Sequence, residues 1–453
     1  MRLTRKFFAS AAGIFLVQVL LAGPKPVAKW DVVPNQRFTG VFNVGVVAFH
    51  ENPLKVEFFV DGVSAHQTSE AKLNERTGVV EYVFPLDSAR YGDRELSVTA
   101  KVSSSCAETQ KLPAIVLYSN HNKTLGSNKV IYVDSRNGID YSDGTKDSPV
   151  RTLAKAVEKC GDGGVVVCKK GVYSAKRIGG GFNRKFWTTV TSDASASRGD
   201  VKIAGGRPAT DFIKFKNVDL FVDAEGSYEM VLGGEGSRRS VSAWVDGCRM
   251  YNKKGRQAAD ASPFGNKLVA YVTGGMSAML KNGPCNARLI RSHKVKQISG
   301  EAFSGNDLLV VNSSVSDIDA QGDEAAKSSV FAGCAITPNW LENIIFYNVS
   351  AKGVAGNAIV AARIRNSAFV NVEVETLGEN AFSRFSDKME NVYFKNVKQP
   401  NAEFDWHRGD VKKAGALFPV FVRAYNIVSK KMYGFPTLDG SQGLLVKEED
   451  LQW

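Results

Sequence analysis

The 453-residue sequence lacks several features that would indicate particular classes of protein. It contains no Cys-x-x-Cys pair, and no histidine lies at ligand spacing from any of its six cysteines, which argues against a zinc site. Those cysteines are also too widely spread for a disulfide scaffold. Lysine and arginine form no dense run, only pairs such as Lys169-Lys170 and Arg238-Arg239. No nucleic-acid-binding motif with aromatic platforms is present, so we expect no nucleic-acid partner.

Only the first 22 residues suggest a targeting segment. Arg2, Arg5 and Lys6 precede an apolar run, residues 7–21, of the length of a secretory signal and short for a membrane span. We therefore predict a signal peptide over 1–22, a secreted or cell-surface location, and no membrane association after cleavage. An uncleaved membrane anchor is the alternative.

The chain is basic, with a formal net charge of +12. Removing the three cations of residues 1–22 leaves 12 − 3 = +9. A basic exported protein is attracted to polyanions such as acidic polysaccharides or anionic cell surfaces. Solubility alone is the competing explanation of the charge.

Residues 23–119 read as one all-β module, because β-rich runs alternate with turn residues and show no helical period. The sequence VEFFVDG (56–62), then Tyr82, Gly92-Asp93 and LSVTAKV (96–102) resembles bacterial immunoglobulin-like domains of exported proteins. That resemblance implies a β-sandwich that spaces or presents a neighbour. The polar residues 120–129 are the predicted linker.

The stretch IYVDSRNGIDYSDGTKDSP, residues 131–149, contains four aspartates within a run of turn residues. An EF-hand calcium loop fails in the registers that begin at Asp134 and at Asp143, because neither has Gly at position 6 or Glu at position 12. We interpret the acids as turn and cap residues, with incidental cation binding as the alternative. A helix is predicted over 149–160, with Ser148 as its N-cap, Pro149 at N1 and Gly161 at C′.

Short apolar strands separated by Asn, Gly, Asp and Ser follow residue 200, and they align as a repeat. One column of that alignment holds Ser292, Asn312, Asn348, Asn366 and Asn396, at intervals of 20, 36, 18 and 30 residues. The 36-residue interval suggests two coils with a hidden strand over 328–336. A coil of about 20 residues cannot bury its apolar side chains alone, whereas stacked coils share one interior and repeat an Asn at each bend.

The segment from Ile131 to Ser174 resembles the entry to right-handed parallel β-helix proteins of the pectate-lyase-like superfamily. The matching features are a strand, an Asn-Gly-x-Asp turn (137–140), Asp143-Gly144, a capping helix, Gly161-Asp162 and a strand that ends in Gly-x-Tyr. The resemblance implies an all-β fold in which an immunoglobulin-like sandwich precedes a right-handed parallel β-helix, with an N-terminal capping helix, over 130–453. Members of this superfamily include lyases, hydrolases and adhesins, so the fold does not fix the reaction.

A lyase of this superfamily acting on uronates needs a cation beside the substrate carboxylate and a basic residue near the proton that is removed. The best acidic cluster in the sequence is SDIDAQGDEAAK, which offers a calcium site. The predicted metal ligands are Asp317, Asp319 and Asp323; the predicted catalytic residues are Lys327, Arg291 and Lys352; the predicted substrate-binding residues are Arg363, Arg365 and His293. The alternative for this cluster is a solvated face with cross-strand ion pairs, and for His293 a surface histidine.

We therefore predict an exported protein that binds, and cleaves by β-elimination if it is a lyase, an acidic polysaccharide or cell-surface glycan. Calcium is the expected cofactor of that lyase reaction. A non-catalytic adhesin and a glycoside hydrolase remain the alternatives. Trp244, Trp340 and Trp406 are candidates for stacking on sugar rings, with core or cap packing as the competing role, and His407 is a candidate cap residue.

Overall fold

The computed structural model describes residues 25–105, 109–175, 178, 184–204, 211–222, 241–252, 268–278, 287–297, 307–317, 340–354, 359–360, 363–376, 382–383, 388–399 and 402–411. The predicted signal peptide lies outside the described residues, as do the hidden strand at 328–336, Asp319, Asp323 and Lys327. None of the helices within the described ranges is long and apolar enough to span a membrane.

The N-terminal module, residues 25–120, consists of nine strands in two sheets, with a 3-10 turn at Ser88–Arg90. The strands are β1 (Val27–Trp30), β2 (Arg37–Phe38), β3 (Val41–Phe49), β4 (Leu54–Val60), β5 (Val63–Thr68), β6 (Lys72–Asn74), β7 (Val79–Asp87), β8 (Asp93–Ser104) and β9 (Gln110–Asn120). One sheet has the order β1-β3-β7-β6 and the other β2-β9-β8-β4-β5. All pairings in the module are antiparallel except β2 with β9.

The local sequence of this module explains its pairing. Val56, Phe58 and Val60 are at most 5% exposed and alternate with the half-buried residues Glu57 and Phe59 along β4, as expected for a strand with one buried face. Asp61 and Gly62 both have positive φ, 52° and 82°, and connect β4 to β5 with Val60 opposite Val63. That is the two-residue hairpin turn favoured by Asp-Gly.

The second part of the chain is a stack of parallel strands. These are β10 (Val130–Val133), β11 (Val165–Cys168), β12 (Gly171–Ser174), β13 (Thr188–Ser192), β14 (Val201–Ala204), β15 (Ile213–Lys216), β16 (Asp219–Val222), β17 (Val241–Asp246), β18 (Arg249–Asn252), β19 (Leu268–Thr273), β20 (Met276–Ala278), β21 (Ala287–Arg291), β22 (Lys294–Gln297), β23 (Leu309–Asp317), β24 (Trp340–Glu342), β25 (Ile345–Val354), β26 (Ile359–Val360), β27 (Arg363–Thr376), β28 (Phe382–Ser383), β29 (Lys388–Gln399) and β30 (Ala402–Val411). From β10 to β29 every pairing is parallel, so the predicted parallel β-helix is confirmed by the strand register itself.

Two stacks of strands form the main walls. The first wall is built on β10, β11, β13, β15, β17, β19, β21, the first halves of β23 and β25, and the middle parts of β27 and β29. The second wall is built on β12, β14, β16, β18, β20, β22, the second halves of β23 and β25, and the last parts of β27 and β29. In the first wall one apolar residue per coil stacks in register inside the helix, and each is at most 7% exposed: Ile131, Val166, Val190, Phe215, Val245, Val272, Ile290, Val310, Phe346 and Phe369. Stacking therefore buries what a single coil would expose.

An asparagine ladder marks the bend between the walls. Asn348 donates to Asn312, Asn371 to Asn348 and Asn396 to Asn371, each over 2.9 Å, and all four have positive φ between 49° and 53°. The predicted column is confirmed for Asn312, Asn348 and Asn396. The ladder residue between Asn348 and Asn396 is Asn371, so the prediction of Asn366 at that place was wrong.

Asn366 belongs to a second ladder, where Asn391 donates to it over 3.1 Å. The two asparagines were confused because both occupy left-handed bends within the single strand β27. The prediction of two coils between Asn312 and Asn348 was also wrong, because β23 pairs directly with β25 and the interval is one coil with an insertion.

The entry segment confirms the turn-and-cap interpretation. Asp134 Oδ1 accepts from the amides of Arg136 and Asn137, and Asp140 Oδ1 accepts from those of Arg151 and Thr152. The helix α1 spans Leu153–Cys160, with Thr152 rather than the predicted Ser148 as N-cap. The helix starts later than predicted because Val150 is held in a parallel bridge with Val133.

The last strand within the described ranges, β30, pairs antiparallel with β29. Trp406 and His407 lie in this strand, which agrees with the predicted cap location. The described cysteines Cys160, Cys168 and Cys248 are buried and unpaired.

The N-terminal module packs on the outer side of the first wall. The outward residues there are apolar and form one cluster with residues of β1, β3 and β7: Trp244, Tyr271, Leu289, Leu309, Ile345, Ala368 and Tyr393 contact Val27, Val33, Val47 and Val79. Trp187 Nε1 donates to the Pro34 carbonyl over 2.7 Å, and Asn312 Nδ2 to the Gly78 carbonyl over 2.9 Å. We call this contact the seam; it decides which residues of the β-helix remain open to solvent.

Candidate ligand-binding cleft beside the seam

The seam buries Arg291, one of the predicted catalytic residues. Its side chain is 9% exposed and forms an ion pair with Asp31, whose side chain is 0% exposed. Arg291 ends β21 on the outer side of the first wall, and Asp31 follows β1, 260 residues away in sequence. The guanidinium therefore links the two modules within the seam.

A buried carboxyl accompanies this pair. Glu81, on β7, is 1% exposed, and its Oε1 accepts from Asn74 Nδ2 at 2.7 Å and from Thr77 Oγ1 at 3.0 Å. Burial and, secondly, the charge of Asp31 raise the pKa of Glu81 well above its ordinary value. A Cβ on Gly45 would lie 2.1 Å from the Glu81 carboxyl carbon, so only glycine at that position leaves room for it.

The charge of Arg76 acts on both acids, Asp31 and Glu81. Arg76 Nη2 donates to the Asp31 carbonyl at 3.0 Å and its Nε to the Asn43 carbonyl at 2.9 Å. We call Asp31, Arg76, Glu81 and Arg291 the seam charges. They contain two carboxyl groups and two guanidinium groups, of which Asp31, Glu81 and Arg291 are buried and Arg76 is half-buried, and this arrangement suits cohesion rather than ligand exchange.

His293 lies inside the β-helix, so the alternative of a surface histidine was wrong. The residue is 1% exposed; its Nδ1 lies 2.8 Å from the Gly274 carbonyl, and its amide donates to Ser313 Oγ at 3.2 Å. Burial lowers the pKa of His293 to about 4, so the ring is neutral at pH 7. This position places it away from any outer groove.

The other predicted site residues are spread over several strands. In the strand register, Asp317 at the end of β23 lies opposite Gln297. Lys352 lies between Ser316 and Glu375 of the two neighbouring strands. Arg363 lies between Trp340 and Lys388. Arg365 is exposed and lies opposite Glu342 and Glu390 in the register of the neighbouring strands. Among the described residues no group of three or more His, Cys, Asp or Glu is arranged to hold a metal. The roles predicted for these residues, and for calcium, stay predictions.

Trp244 is a seam residue rather than an exposed platform. It is 8% exposed, its Nε1 donates to Thr273 Oγ1 at 2.8 Å, and Lys214 Nζ lies 3.4 Å from the ring centroid. Lys214 also pairs with Asp246 at 2.8 Å. The indole N–H of Trp244 is thus hydrogen-bonded within the protein, and Lys214 covers one face of its ring.

A cleft of about 680 Å³ opens along one side of the seam, between β1 and β9 of the N-terminal module and coils of the β-helix. That volume is within the range of small-ligand sites, roughly 300–1,000 Å³. Four cations and one carboxylate are among its lining residues, which are Lys25, Ala28, Lys29, Trp30, Val32, Pro34, Asn35, Gln110, Lys111, Leu112, Pro113, Ala114, Ile115, Val116, Tyr271, Arg288, Leu289, Asp307 and Asn343. We call this the basic cleft.

Both modules contribute charge to the basic cleft at one point. Lys29 Nζ lies 3.2 Å from Asp307 Oδ1, and Arg288 Nη1 lies 3.4 Å from Asp307 Oδ2. Lys29 comes from β1, whereas Arg288 comes from β21 and Asp307 from the bend before β23. The Asp307 and Arg288 side chains are 50% and 42% exposed, whereas that of Lys29 is 15% exposed, so solvent reaches this group of charges mainly at Asp307 and Arg288.

A β-bulge places Arg288 in the cleft. The register between β19 and β21 advances from Ala270–Ala287 to Tyr271–Leu289, which leaves Arg288 as the additional residue. Bulges commonly re-aim a side chain in this way. The burial pattern agrees, because Arg288 is the exposed residue of an otherwise buried strand.

Aromatic side chains supply the apolar part of the lining. Trp30 is half-buried, and its Nε1 donates to the Pro113 carbonyl at 2.8 Å. Tyr271 is 8% exposed and packs edge-on to Trp187, with ring centroids 6.0 Å apart. Burial raises the pKa of Tyr271 to about 12, so its hydroxyl stays protonated at neutral pH. The cleft therefore combines cations with aromatic surface.

Sequence reasoning did not find this cleft. Lys29 and Asp307 are 278 residues apart, and neither lies in a recognisable motif. The left-handed bend at Asp307 (φ 57°) was detectable in principle from the asparagines at the equivalent bends of later coils. The bulge at Arg288 has no sequence signal that we can identify.

No protein-family model matches this chain, and no curated protein sequence matches it. Among solved structures, a GH136 lacto-N-biosidase from Eubacterium ramulus is similar at 10% identity and a TM-score of 0.33, over 60% of this chain and 56% of that chain. A rhamnogalacturonan lyase is similar at 11% identity and a TM-score of 0.23, over 60% and 68%.

A family 28 exopolygalacturonase from Yersinia enterocolitica is similar at 10% identity and a TM-score of 0.23, over 81% of this chain and 99% of that chain. The chain thus spans little more than half the length of the lacto-N-biosidase. Similarity at this level says nothing about a reaction, and the fold is established here by the strand register.

Proposed function

We propose that this protein is exported and binds an acidic polysaccharide or cell-surface glycan in the basic cleft. The observation that carries the proposal is that Lys29 and Arg288, from different modules, converge on one carboxylate at a solvent-exposed point. A site that already holds one carboxylate between two cations has the charge and spacing to hold another.

Three further features support the proposal. The lining contains four cations against one carboxylate, which attracts polyanions. Trp30, which is half-buried, offers aromatic surface to the apolar parts of a ligand. The formal net charge of 12 − 3 = +9 that remains without residues 1–22 adds long-range attraction for an anionic polymer.

Binding is tested with the full chain against polygalacturonate, alginate and a glycosaminoglycan, by affinity electrophoresis and calorimetry. We expect binding to at least one of these polymers, weakening as salt increases. Lys111→Glu, an exposed change in the cleft, should weaken it several-fold. Lys55→Glu, an equally exposed strand lysine of the same sheet outside the cleft, is the matched control. Absence of binding to all three polymers, or equal loss in both variants, would contradict the proposal.

Turnover is a separate question for the same protein. β-Elimination of a uronate creates an unsaturated product that absorbs in the ultraviolet, so incubation with each polymer, with and without calcium, is the direct assay. A rise that Lys327→Ala abolishes would support the lyase prediction. Binding without any rise would instead support the adhesin alternative.

The hydrolase alternative receives less support from the cleft. Inverting and retaining glycosidases both need two carboxyl groups roughly 5–10 Å apart. Asp307 is the only carboxylate among the described residues that line the basic cleft.

A further inference from the structure

Asp307 occupies a position that three later coils give to asparagine. In register, the bend before the first wall is formed by Asp307, Asn343, Asn366 and Asn391, all with φ between 45° and 57°. Asn343 Nδ2 donates to Asp307 Oδ1 at 3.0 Å, just as Asn391 Nδ2 donates to Asn366 Oδ1 at 3.1 Å. An asparagine at 307 would present the same acceptor, so the ladder does not require the negative charge.

The charge of Asp307 is used elsewhere. Its two oxygens divide between the cations of the basic cleft, with Oδ1 3.2 Å from Lys29 Nζ and Oδ2 3.4 Å from Arg288 Nη1. The carboxylate thus lies where a carboxylate of a bound uronate would contact the same two cations. Two carboxylates beside one pair of cations repel each other, so each binds the cations less strongly than it would alone.

We infer that Asp307 is the specificity-determining residue of the basic cleft, an internal carboxylate that competes with the carboxylates of an acidic glycan and sets how strongly the cleft selects for them. This inference rests on the proposed function. It identifies the ligand class as carboxylate-bearing saccharides, and it assigns to Asp307 the role of limiting affinity for them. Specificity obtained from a built-in repulsive group is common in recognition sites.

The test is Asp307→Asn in the full chain, with binding of oligogalacturonate and of a neutral glucan oligosaccharide measured by calorimetry. Each exposed ion pair contributes up to about fivefold in an equilibrium constant. Removing the competitor of two such pairs should therefore raise affinity for oligogalacturonate by between about 2-fold and about 30-fold. The variant should also show steeper salt dependence. Binding of the neutral oligosaccharide should not change.

The matched control is Asp147→Asn, which makes the same chemical and net-charge change at an exposed residue outside the cleft. It should leave affinity for oligogalacturonate as in the unmodified protein. Asp307→Gly is a second neutral variant, since glycine tolerates the left-handed backbone if asparagine at 307 impairs folding.

The outcomes separate the two claims. Tighter uronate binding by Asp307→Asn but not by Asp147→Asn supports the inference. Binding by the unmodified protein with no gain, or a loss, in both Asp307 variants overturns the inference while the proposed function stands. If neither the unmodified protein nor the variants bind any acidic saccharide, the proposed function fails and the inference fails with it.

Discussion

The seam charges and the basic cleft are built from the same kinds of side chain but differ in their access to water. Asp31 and Arg291 are 0% and 9% exposed, whereas Asp307 and Arg288 are 50% and 42% exposed. Both arginines come from β21, three residues apart. Removing one partner of a buried pair leaves an uncompensated charge, whereas an exposed pair is replaced by water at little cost. The first arrangement therefore suits cohesion, and the second suits exchange with a ligand.

The largest expected effect is that of Arg291→Met, which leaves Asp31 buried without its partner. We expect the free energy of unfolding of the full chain to fall by about 3–5 kcal/mol. Arg288→Met, in the same strand, should cost less than about 1 kcal/mol, because its pair is exposed. Denaturant unfolding of both variants measures the difference. Equal costs would show that burial does not distinguish the two arginines.

The pH dependence of stability tests the buried carboxyl. Because the pKa of Glu81 is raised in the folded protein, its proton is retained on folding. Its stabilising contribution is therefore complete below the ordinary pKa of about 4.3 and is lost as pH rises through the folded pKa, by up to about 1.4 kcal/mol per pH unit.

Glu81→Gln removes this titration, so the difference in unfolding free energy between it and the unmodified protein should change with pH above about pH 4.3. Taking the difference cancels His293, whose lowered pKa, about 4, causes stability to fall as pH decreases below its ordinary value of about 6.5. A pH-independent difference would show that Glu81 is ionised in the folded protein. Asp31, Arg76 and Tyr347 are the charged or titratable groups that interact with it.

The asparagine ladder should show an intermediate effect. Asn348→Ala removes two hydrogen bonds, the one that Asn348 donates to Asn312 and the one that Asn371 donates to Asn348. It also places alanine at φ 53°. A loss of about 2–3 kcal/mol is expected from the hydrogen bonds together with the left-handed backbone. Asn348→Gly removes the same hydrogen bonds without the backbone strain, so the difference between the two variants measures that strain. If alanine and glycine destabilise equally, the strain is negligible.

A smaller effect than that of Asn348→Ala is expected for Asp307→Asn, which removes two ion pairs that each contribute up to about 1 kcal/mol, so its unfolding free energy should fall by less than about 2 kcal/mol. The reason is that Asn343, Asn366 and Asn391 already occupy the equivalent bends. Thermal unfolding measures this directly. A larger loss would mean that the charge of Asp307 stabilises the seam, so that its main role would be cohesion rather than ligand selection.

Much of the β-helix was predictable because its signals are local. The turn residues from Asp134 to Asp143, the apolar face of α1 and the asparagines at 312, 348 and 396 all follow from short-range backbone requirements. The prediction failed where two bends of one strand offer the same residue type, as with Asn366 and Asn371. It also failed at the helix start, where the tertiary bridge of Val150 overrides a plausible local cap.

The candidate site was far less predictable. Arg291 and His293 looked like neighbours on a polar strand, yet one lies in the seam and the other inside the β-helix. The left-handed residue between them, Ser292 (φ 53°), turns the chain so that period-two alternation does not continue across the bend. Lys29, Arg288 and Asp307 carry no motif and meet only after folding.

The sequence by itself determined the stacked parallel strands, the bends and the capping helix, because each depends on residues within one coil or its neighbour. Tertiary structure alone decided which charges are cohesive and which are accessible. The free energy of a charge depends on what excludes water from it and on which charge lies beside it. For Arg291 and Lys29 those partners, Asp31 and Asp307, are 260 and 278 residues away.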